Sequence, residues 1–279
     1  MDSALLYFIG RVVIGLLLLW LGVVWFEQHA VYVPSRVMDR SPAEVGLVFE
    51  DVEFFAEDAV RLHGWWIPHP QARGTIIYCH GNGANIANRV DLCADLHRLG
   101  VNVFIFDYRG YGRSKGWPSE QGTYRDARAA FEVVRARYED AEAPPVIVYG
   151  ASLGGPIAAQ LALDKPVKGL VLEASFPSTV ELGRILYPWL PVRWIARYRY
   201  DAAAKVEQCR LPKLFASSSE DQLVPFELGR ALYDQAAEPK EFVELRGPHD
   251  EGGWNYTPAY WSALEKFTTR VLGAVGAAP

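Results

Sequence analysis

The hydrophobic pattern changes character along the chain. Residues 4–26 are apolar apart from Arg11, with Leu16-Leu17-Leu18-Leu19-Trp20-Leu21 near the middle. At 1.5 Å per residue, a helix of this length crosses a hydrocarbon core of about 30 Å. Past a connector carrying prolines and charges at 34–44, short β-branched runs alternate with segments of helical spacing. Residues 45–55 and 62–67 predict a hairpin turning at Ala56-Glu57-Asp58. Residues 74–79, 101–108, 145–149, 167–172, 213–216 and 241–245 predict further, mostly buried strands. Between them, 87–99, 119–138, 153–163, 226–236 and 256–272 are spaced as helices, with Ser119 as an N-cap. Strands and helices in this alternation imply βαβ crossovers and a mostly parallel central sheet with helices on both faces.

This organisation divides the chain into an anchor helix (1–30), a connector (31–44) and an α/β domain (45–279). Residues 176–200 interrupt the alternation with three prolines, Tyr187, Trp189, Trp194, Tyr198, Tyr200 and four arginines. An insertion there lies over the carboxyl ends of the strands, where ligands bind, and reads as a small lid. Its aromatics are expected to pack on the body more than to meet lipid, while its arginines suit anionic headgroups. For the N-terminal stretch, an uncleaved single-pass or monotopic anchor is favoured over a signal peptide and over a buried core helix. Met1-Asp2-Ser3 is not a basic n-region, and Glu27-Gln28-His29-Ala30-Val31-Tyr32 holds no A-x-A cleavage pattern. Trp20, Trp25 and Tyr32 suit a membrane interface. Arg11 stands on one side of the span and Arg36 and Arg40 on the other, so the side the domain faces stays open.

Composition narrows the function classes. With 28 Lys plus Arg against 33 Asp plus Glu the net charge is −5, which excludes the basic stripe of a nucleic-acid binder. Cys79, Cys93 and Cys209 are an odd number without C-x-x-C spacing, so neither a disulfide scaffold nor a cysteine zinc site organises the fold.

The chemistry centres on Gly150-Ala151-Ser152-Leu153-Gly154, set between a buried strand and a helix. In that context G-x-S-x-G is a nucleophile elbow, and the following helix supplies a positive dipole end and free N–H groups. A serine nucleophile needs a base, and the base an orienting acid. Of six histidines only His249 lies downstream of Ser152, in the loop after the last strand. Among Asp164, Asp201, Asp221 and Asp234, only Asp221 sits on a loop at a strand's carboxyl end, with Glu220 as its alternate. His80-Gly81-Asn82-Gly83 follows the strand 74–79, so the N–H of Asn82 pairs with that of Leu153 as a candidate oxyanion hole. His80 is expected to be structural, and no second ligand suits a metal beside it.

Together these motifs resemble a membrane-anchored α/β-hydrolase of the bud-emergence type. The likeness covers about residues 45–267 and rests on His80-Gly81-Asn82-Gly83-Ala84-Asn85-Ile86, Asp107-Tyr108-Arg109-Gly110-Tyr111-Gly112-Arg113-Ser114, Gly116-Trp117-Pro118-Ser119-Glu120, the elbow, Asp221-Gln222-Leu223-Val224-Pro225 and His249-Asp250. It implies an α/β-hydrolase fold, with Ser152 as nucleophile, Asp221 as orienting acid, His249 as base and Asn82 with Leu153 as oxyanion hole. Ser217-Ser218-Ser219 stands where the family often carries His-Gly. The expected activity is cofactor-free cleavage of carboxylic esters or thioesters with apolar acyl chains, on a lipid, an acyl ester or an acylated protein. The alternatives are a prolyl-oligopeptidase-like peptidase using the same triad and a membrane-tethered binding protein without chemistry. A fold shared by so many activities leaves the substrate and the oligomeric state open.

Overall fold

The computed structural model describes residues 3–139, 144–249 and 257–274. In chain order the elements are α1 (Ser3–Val31), β1 (Val33–Pro34), β2 (Glu50–Phe55), β3 (Arg61–Ile67), β4 (Thr75–Cys79), β5 (Gly83–Ala84), α2 (Val90–His97), β6 (Asn102–Asp107) and α3 (Glu120–Arg135). They continue with β7 (Val146–Ala151), α4 (Gly154–Asp164), β8 (Gly169–Glu173), α5 (Thr179–Leu186), α6 (Val192–Ile195), α7 (Ala202–Gln208), β9 (Lys213–Ser218), α8 (Phe226–Gln235), β10 (Lys240–Leu245) and α9 (Pro258–Leu272). The strand order is β2-β3-β6-β4-β7-β8-β9-β10. β2 and β3 pair antiparallel, as do β3 and β6, and every later pairing is parallel. The fold is that of an α/β-hydrolase.

Alternation along each strand sends neighbouring side chains to opposite faces. Ile77, Cys79, Val146 and Val148 enter one core with residues of α3, α4, α7 and α8. Ile76, Tyr78, Ile147 and Tyr149 enter the other with residues of α2 and α9. β4 has β6 on one side and β7 on the other, so the crossovers leave in opposite directions there. That reversal opens a crevice at the carboxyl ends of β4 and β7, the position in which open α/β sheets bind ligands. Cys79 and Gly150, which end the register between these strands, put the two motif-bearing loops side by side.

The predicted elements are recovered with shifted ends. Residues 45–49 are not strand: a 3₁₀ turn covers Pro42–Val45, closed by Gly46 in the left-handed region at φ 77°. The helix predicted at 87–99 splits into a 3₁₀ turn over Ile86–Arg89 and α2. Ser119 caps α3, accepting from the Gly122 N–H at 3.2 Å. The lid holds α5 and α6, and α7 follows it, capped by Asp201. Asp250, and Tyr256 at the start of the last predicted helix, lie outside the described residues. All three cysteines are buried free thiols.

α1 runs further than the apolar segment that predicts it. Its outer part, from Tyr7 to Trp25, carries exposed apolar side chains and is long and apolar enough to cross a membrane. Its last turns belong to the domain. Glu27 Oε1 accepts from the Arg197 and Tyr198 N–H groups at 2.6 and 2.9 Å, Gln28 Oε1 from the Tyr198 hydroxyl at 2.7 Å, and Phe26 meets Tyr187 edge to face. The chain continues without a loose connector: β1 pairs with β5, and the buried Tyr32 hydroxyl lies 2.7 Å from that of Tyr200.

Candidate active site

Ser152 sits between β7 and α4 with φ +51°, a left-handed conformation costly for a residue with a Cβ. The turn is held by the Ser152 N–H donating to the Glu173 carbonyl at 2.9 Å and the Gly155 N–H to the Ser152 carbonyl at 2.9 Å. Gly150 and Gly154 are needed here. A Cβ on Gly150 would meet the Gly154 carbonyl, and one on Gly154 would land on the Cys79 carbonyl. The close approach of β4 to α4 therefore depends on residues without side chains.

Three residues from three loops converge. His249 Nε2 lies 3.2 Å from Ser152 Oγ, and His249 Nδ1 lies 2.6 Å from Asp221 Oδ2. The Asp221 side chain is almost wholly buried, and its Oδ1 accepts from the Leu223 and Val224 N–H groups at 2.9 and 2.8 Å. One Asp221 oxygen is fixed by backbone and the other by imidazole, so the carboxylate in contact with the histidine is that of Asp221 and not of Glu220. Glu220 instead accepts from the Gly247 N–H at 2.9 Å. The departure at Ser217-Ser218-Ser219 has a structural role: Ser218 Oγ donates to the Gly247 carbonyl at 2.6 Å and accepts from the Glu220 N–H at 3.1 Å. One serine thus ties the acid's loop to the histidine's loop. The remaining aspartates are engaged elsewhere: Asp164 with Arg128, Asp234 with Arg230, and Asp201 in its cap.

The loop after β4 lies beside the elbow, with Gly81 packed against Ser152. Its backbone is fixed by carbonyls taking outside donors. The Tyr108 hydroxyl donates to the His80 carbonyl at 2.9 Å and the Tyr111 hydroxyl to the Asn82 carbonyl at 2.8 Å. The Val33 N–H donates to the Asn82 carbonyl too, at 3.1 Å. His80 is fully buried, its Nδ1 lies 2.7 Å from the Gly81 carbonyl, and burial holds its pKa down at about 3. Asp107 stands 3.7 Å away with its pKa pushed up to about 7 by burial. With its pKa held that low, His80 is neutral near neutral pH, so the two do not form an ion pair. His80 is structural, as expected.

The loop after β6 is shored up by Arg109. Its guanidinium grips Asp126 at 2.7 and 2.9 Å and Asp58 at 2.8 and 3.0 Å. Ser114 Oγ donates to the Asp107 carbonyl at 2.7 Å, so Ser114 has a structural hydrogen bond and lies outside the elbow.

A cavity of about 660 Å³, partly open, has Ser152, Asn82 and Leu153 on its floor. Phe176, Leu182, Leu186, Leu223 and Val224 make apolar walls, and Ala30 and Val31 of α1 close one side. Among the described residues no cluster of His, Cys, Asp and Glu is arranged to hold a metal.

Two features escape sequence reasoning. Glu173, the last residue of β8, is buried behind the elbow, bonded by the Tyr149 hydroxyl with Tyr260 alongside. Burial pushes its pKa up to about 7. Its only sequence signal was an acid ending a wholly apolar strand. The second is the inward face of α1, which an overwhelmingly apolar helix conceals. The lid aromatics divide: Tyr187, Tyr198 and Tyr200 pack inward, while Trp189 and Trp194 are 72% and 87% exposed.

Comparison with known proteins agrees with this architecture. The serine aminopeptidase S33 family profile matches residues 70–198. The chain is 34% identical over 297 residues to the α/β-hydrolase domain-containing protein WAV2 of Arabidopsis thaliana, covering 95% of each. It is 29% identical over 232 residues to protein bem46 of Schizosaccharomyces pombe, covering 77% of each. Among solved structures, an esterase of Pyrococcus furiosus superposes with a TM-score of 0.71 at 21% identity, over 87% of this chain and 99% of the esterase.

Proposed function

The chain belongs to the bud-emergence type of α/β-hydrolase, within a superfamily of serine hydrolases, and on that premise we propose that it cleaves carboxylic esters or thioesters of apolar acyl chains through Ser152, His249 and Asp221. The observation that carries the reading is the Ser152–His249–Asp221 chain of contacts at 3.2 and 2.6 Å, on a strained elbow. Ser152 Oγ attacks the acyl carbonyl while His249 Nε2 takes its proton. The carbonyl's bond to the leaving oxygen or sulfur then breaks, and His249 returns the proton to that atom. Water, activated by the same imidazole, cleaves the acyl-enzyme. Asp221 holds the Nδ1–H tautomer and stabilises the imidazolium. The N–H groups of Asn82 and Leu153, both on the cavity floor, receive the oxyanion.

The apolar cavity walls favour an acyl chain over a peptide. The same proposal makes α1 a retained membrane anchor. A leader removed after residue 30 would leave the Arg197 and Tyr198 N–H groups without Glu27 and strip Ala30 from the cavity. Acyl esters, lipids and acylated proteins all fit this chemistry as substrates.

The test is hydrolysis of p-nitrophenyl esters from acetate to palmitate by wild type and Ser152→Ala in detergent, with fluorophosphonate labelling. Ser152-dependent turnover is expected. Labelling without ester turnover would favour the peptidase alternative or a narrow thioesterase, and neither signal would favour the binding protein.

A further inference from the structure

A second apolar cavity, of about 480 Å³, adjoins the one above Ser152. Ala30, Val31, Thr179, Gly183 and Tyr187 line both, so one set of residues from α1 and the α5 segment borders the two spaces. On the α1 side the outer cavity is lined by Val23, Phe26, Glu27, Ala30 and Val31. Spacings of three and four residues put all five on one helical face. From Val23 to Val31 this face rises about 12 Å along the helix axis. Among the described lining residues of both cavities Glu27 is the sole charged one, and its Oε1 is committed to the lid backbone.

The position of the outer cavity matters as much as its lining. It borders α1 where the helix leaves the domain, and from Trp25 back to Tyr7 the helix is exposed and apolar. Trp25 on α1 and Trp189 and Trp194 on the lid are exposed beside it, side chains that favour a membrane interface. Gly183 lines both spaces, and a Cβ there would press on Val192 at 3.1 Å, so the absent side chain lets α5 and α6 pack closely beside α1.

We propose that α1 is a wall of the acyl-binding site as well as an anchor. The acyl chain of a bilayer-resident ester or thioester lies along the Val23–Val31 face, between α1 and the lid. It arrives sideways from the leaflet, and its carbonyl end reaches Ser152. The lining shared by the inner and outer spaces continues the apolar surface from the neighbourhood of Ser152 out along α1, which suits a long chain better than a short one. The inference rests on the reading of Ser152 as nucleophile and adds substrate length and route of access to it.

The experiment uses the full chain in phosphatidylcholine vesicles, with p-nitrophenyl butyrate, octanoate and palmitate as probes. Ala30→Phe fills the shared wall and Val23→Trp only the outer cavity. Leu18→Trp adds the same bulk on exposed helix away from both and serves as the control. The palmitate-to-butyrate ratio of kcat/KM is expected to fall at least about tenfold in Ala30→Phe, the range a hydrophobic pocket discriminates by size. Val23→Trp is expected to lower palmitate turnover relative to octanoate, and Leu18→Trp to keep the wild-type profile. Wild-type profiles in both cavity variants, with turnover still dependent on Ser152, would overturn the proposal and leave α1 a tether. An equal shift in Leu18→Trp would overturn it as well, by making the effect one of membrane insertion. Fluorophosphonate labelling of each variant keeps folding separate, and should Ala30→Phe not label, Val23→Trp decides. Absence of Ser152-dependent turnover in wild type is a different result, which defeats the reading of the nucleophile.

Discussion

The floor and the roof of the site are built by different means. The floor consists of loops leaving the strands β4, β7, β9 and β10, each held by backbone bonds and buried polar groups. Ser152, His249 and Asp221 are placed there to within hydrogen-bond distance. The roof consists of α1's last turns leaning on α5, α6 and the segment to Tyr200, joined by bonds of Glu27, Gln28 and Tyr32 and by the aromatic edge contacts of Phe26 with Tyr187 and of Tyr32 with Tyr198 and Tyr200. Reaction geometry must be exact to fractions of an ångström, whereas an acyl chain needs only apolar space. The contrast predicts that changes in the floor affect chemistry and global stability, and changes in the roof affect substrate length and local opening.

The most severe test of the floor is its acid. Asp221→Asn keeps the shape but favours the wrong histidine tautomer, and kcat is expected to fall about 10⁴-fold, near 5 kcal/mol in the barrier. Glu220→Gln, which disturbs the bond to the Gly247 N–H and an exposed pair with Arg246, is expected to cost less than about tenfold. Steady-state kinetics on a short ester separates them. Comparable losses would mean that the two carboxylates share the task.

Next is the support beneath the floor. Arg109→Ala leaves Asp126 buried without its cation, and removing one partner of a buried pair costs about 3–5 kcal/mol. Denaturant unfolding in detergent should show that loss. Arg109→Lys is expected to recover only part of it, because one ammonium cannot fork to both Asp126 and Asp58. A loss below about 1 kcal/mol would mean that the β6 loop does not brace the site.

Glu173 supplies a pH signature of the floor. Its folded pKa of about 7 lies above the ordinary value of 4.5, so the folded state binds this proton more tightly than the unfolded chain. The favourable contribution is complete below about pH 4.5 and is lost as pH rises through 7. The full span is on the order of 3 kcal/mol. Glu173→Gln is expected to flatten stability between pH 5 and about 8, read as Tm against pH. An unchanged slope would place the titration elsewhere, with Asp107, also near 7, the next residue to replace.

How much of this was legible in the sequence follows the same division. The floor was readable because each of its parts is a local pattern: a Gly-x-Ser-x-Gly turn after an apolar strand, a histidine after the last strand, an aspartate at a strand end. The roof was not. Residues 1–30 read as a separable anchor because Val23, Phe26, Ala30 and Val31 are as apolar as the exposed residues around them. Only packing against α5, more than 140 residues away in sequence, distinguishes that face. For the same reason the connector 31–44 gave no sign that Val33 would pair with Gly83 in the loop after β4, or that Tyr32 would bury its hydroxyl against Tyr200. The strand expected at 45–49 failed for a local reason: Ser41-Pro42 starts a 3₁₀ turn with its capping box to Glu44.

The smallest effect bears most directly on whether floor and roof are independent. Glu27→Ala removes the acceptor of the Arg197 and Tyr198 N–H groups, charge-assisted bonds at a half-exposed site where water takes over part of the role. A loss of about 1 kcal/mol is expected, confined to the lid. Such a loss leaves the global unfolding midpoint nearly unchanged, because the lid opens below the free energy of global unfolding. Amide hydrogen exchange resolves it: protection in the lid, 179–200, should fall about five-fold, while β4, β7 and β8 exchange as in wild type. Faster exchange spreading into those strands would show that the last turns of α1 stabilise the floor too, and the division between floor and roof would then be one of substrate contact alone, not of stability.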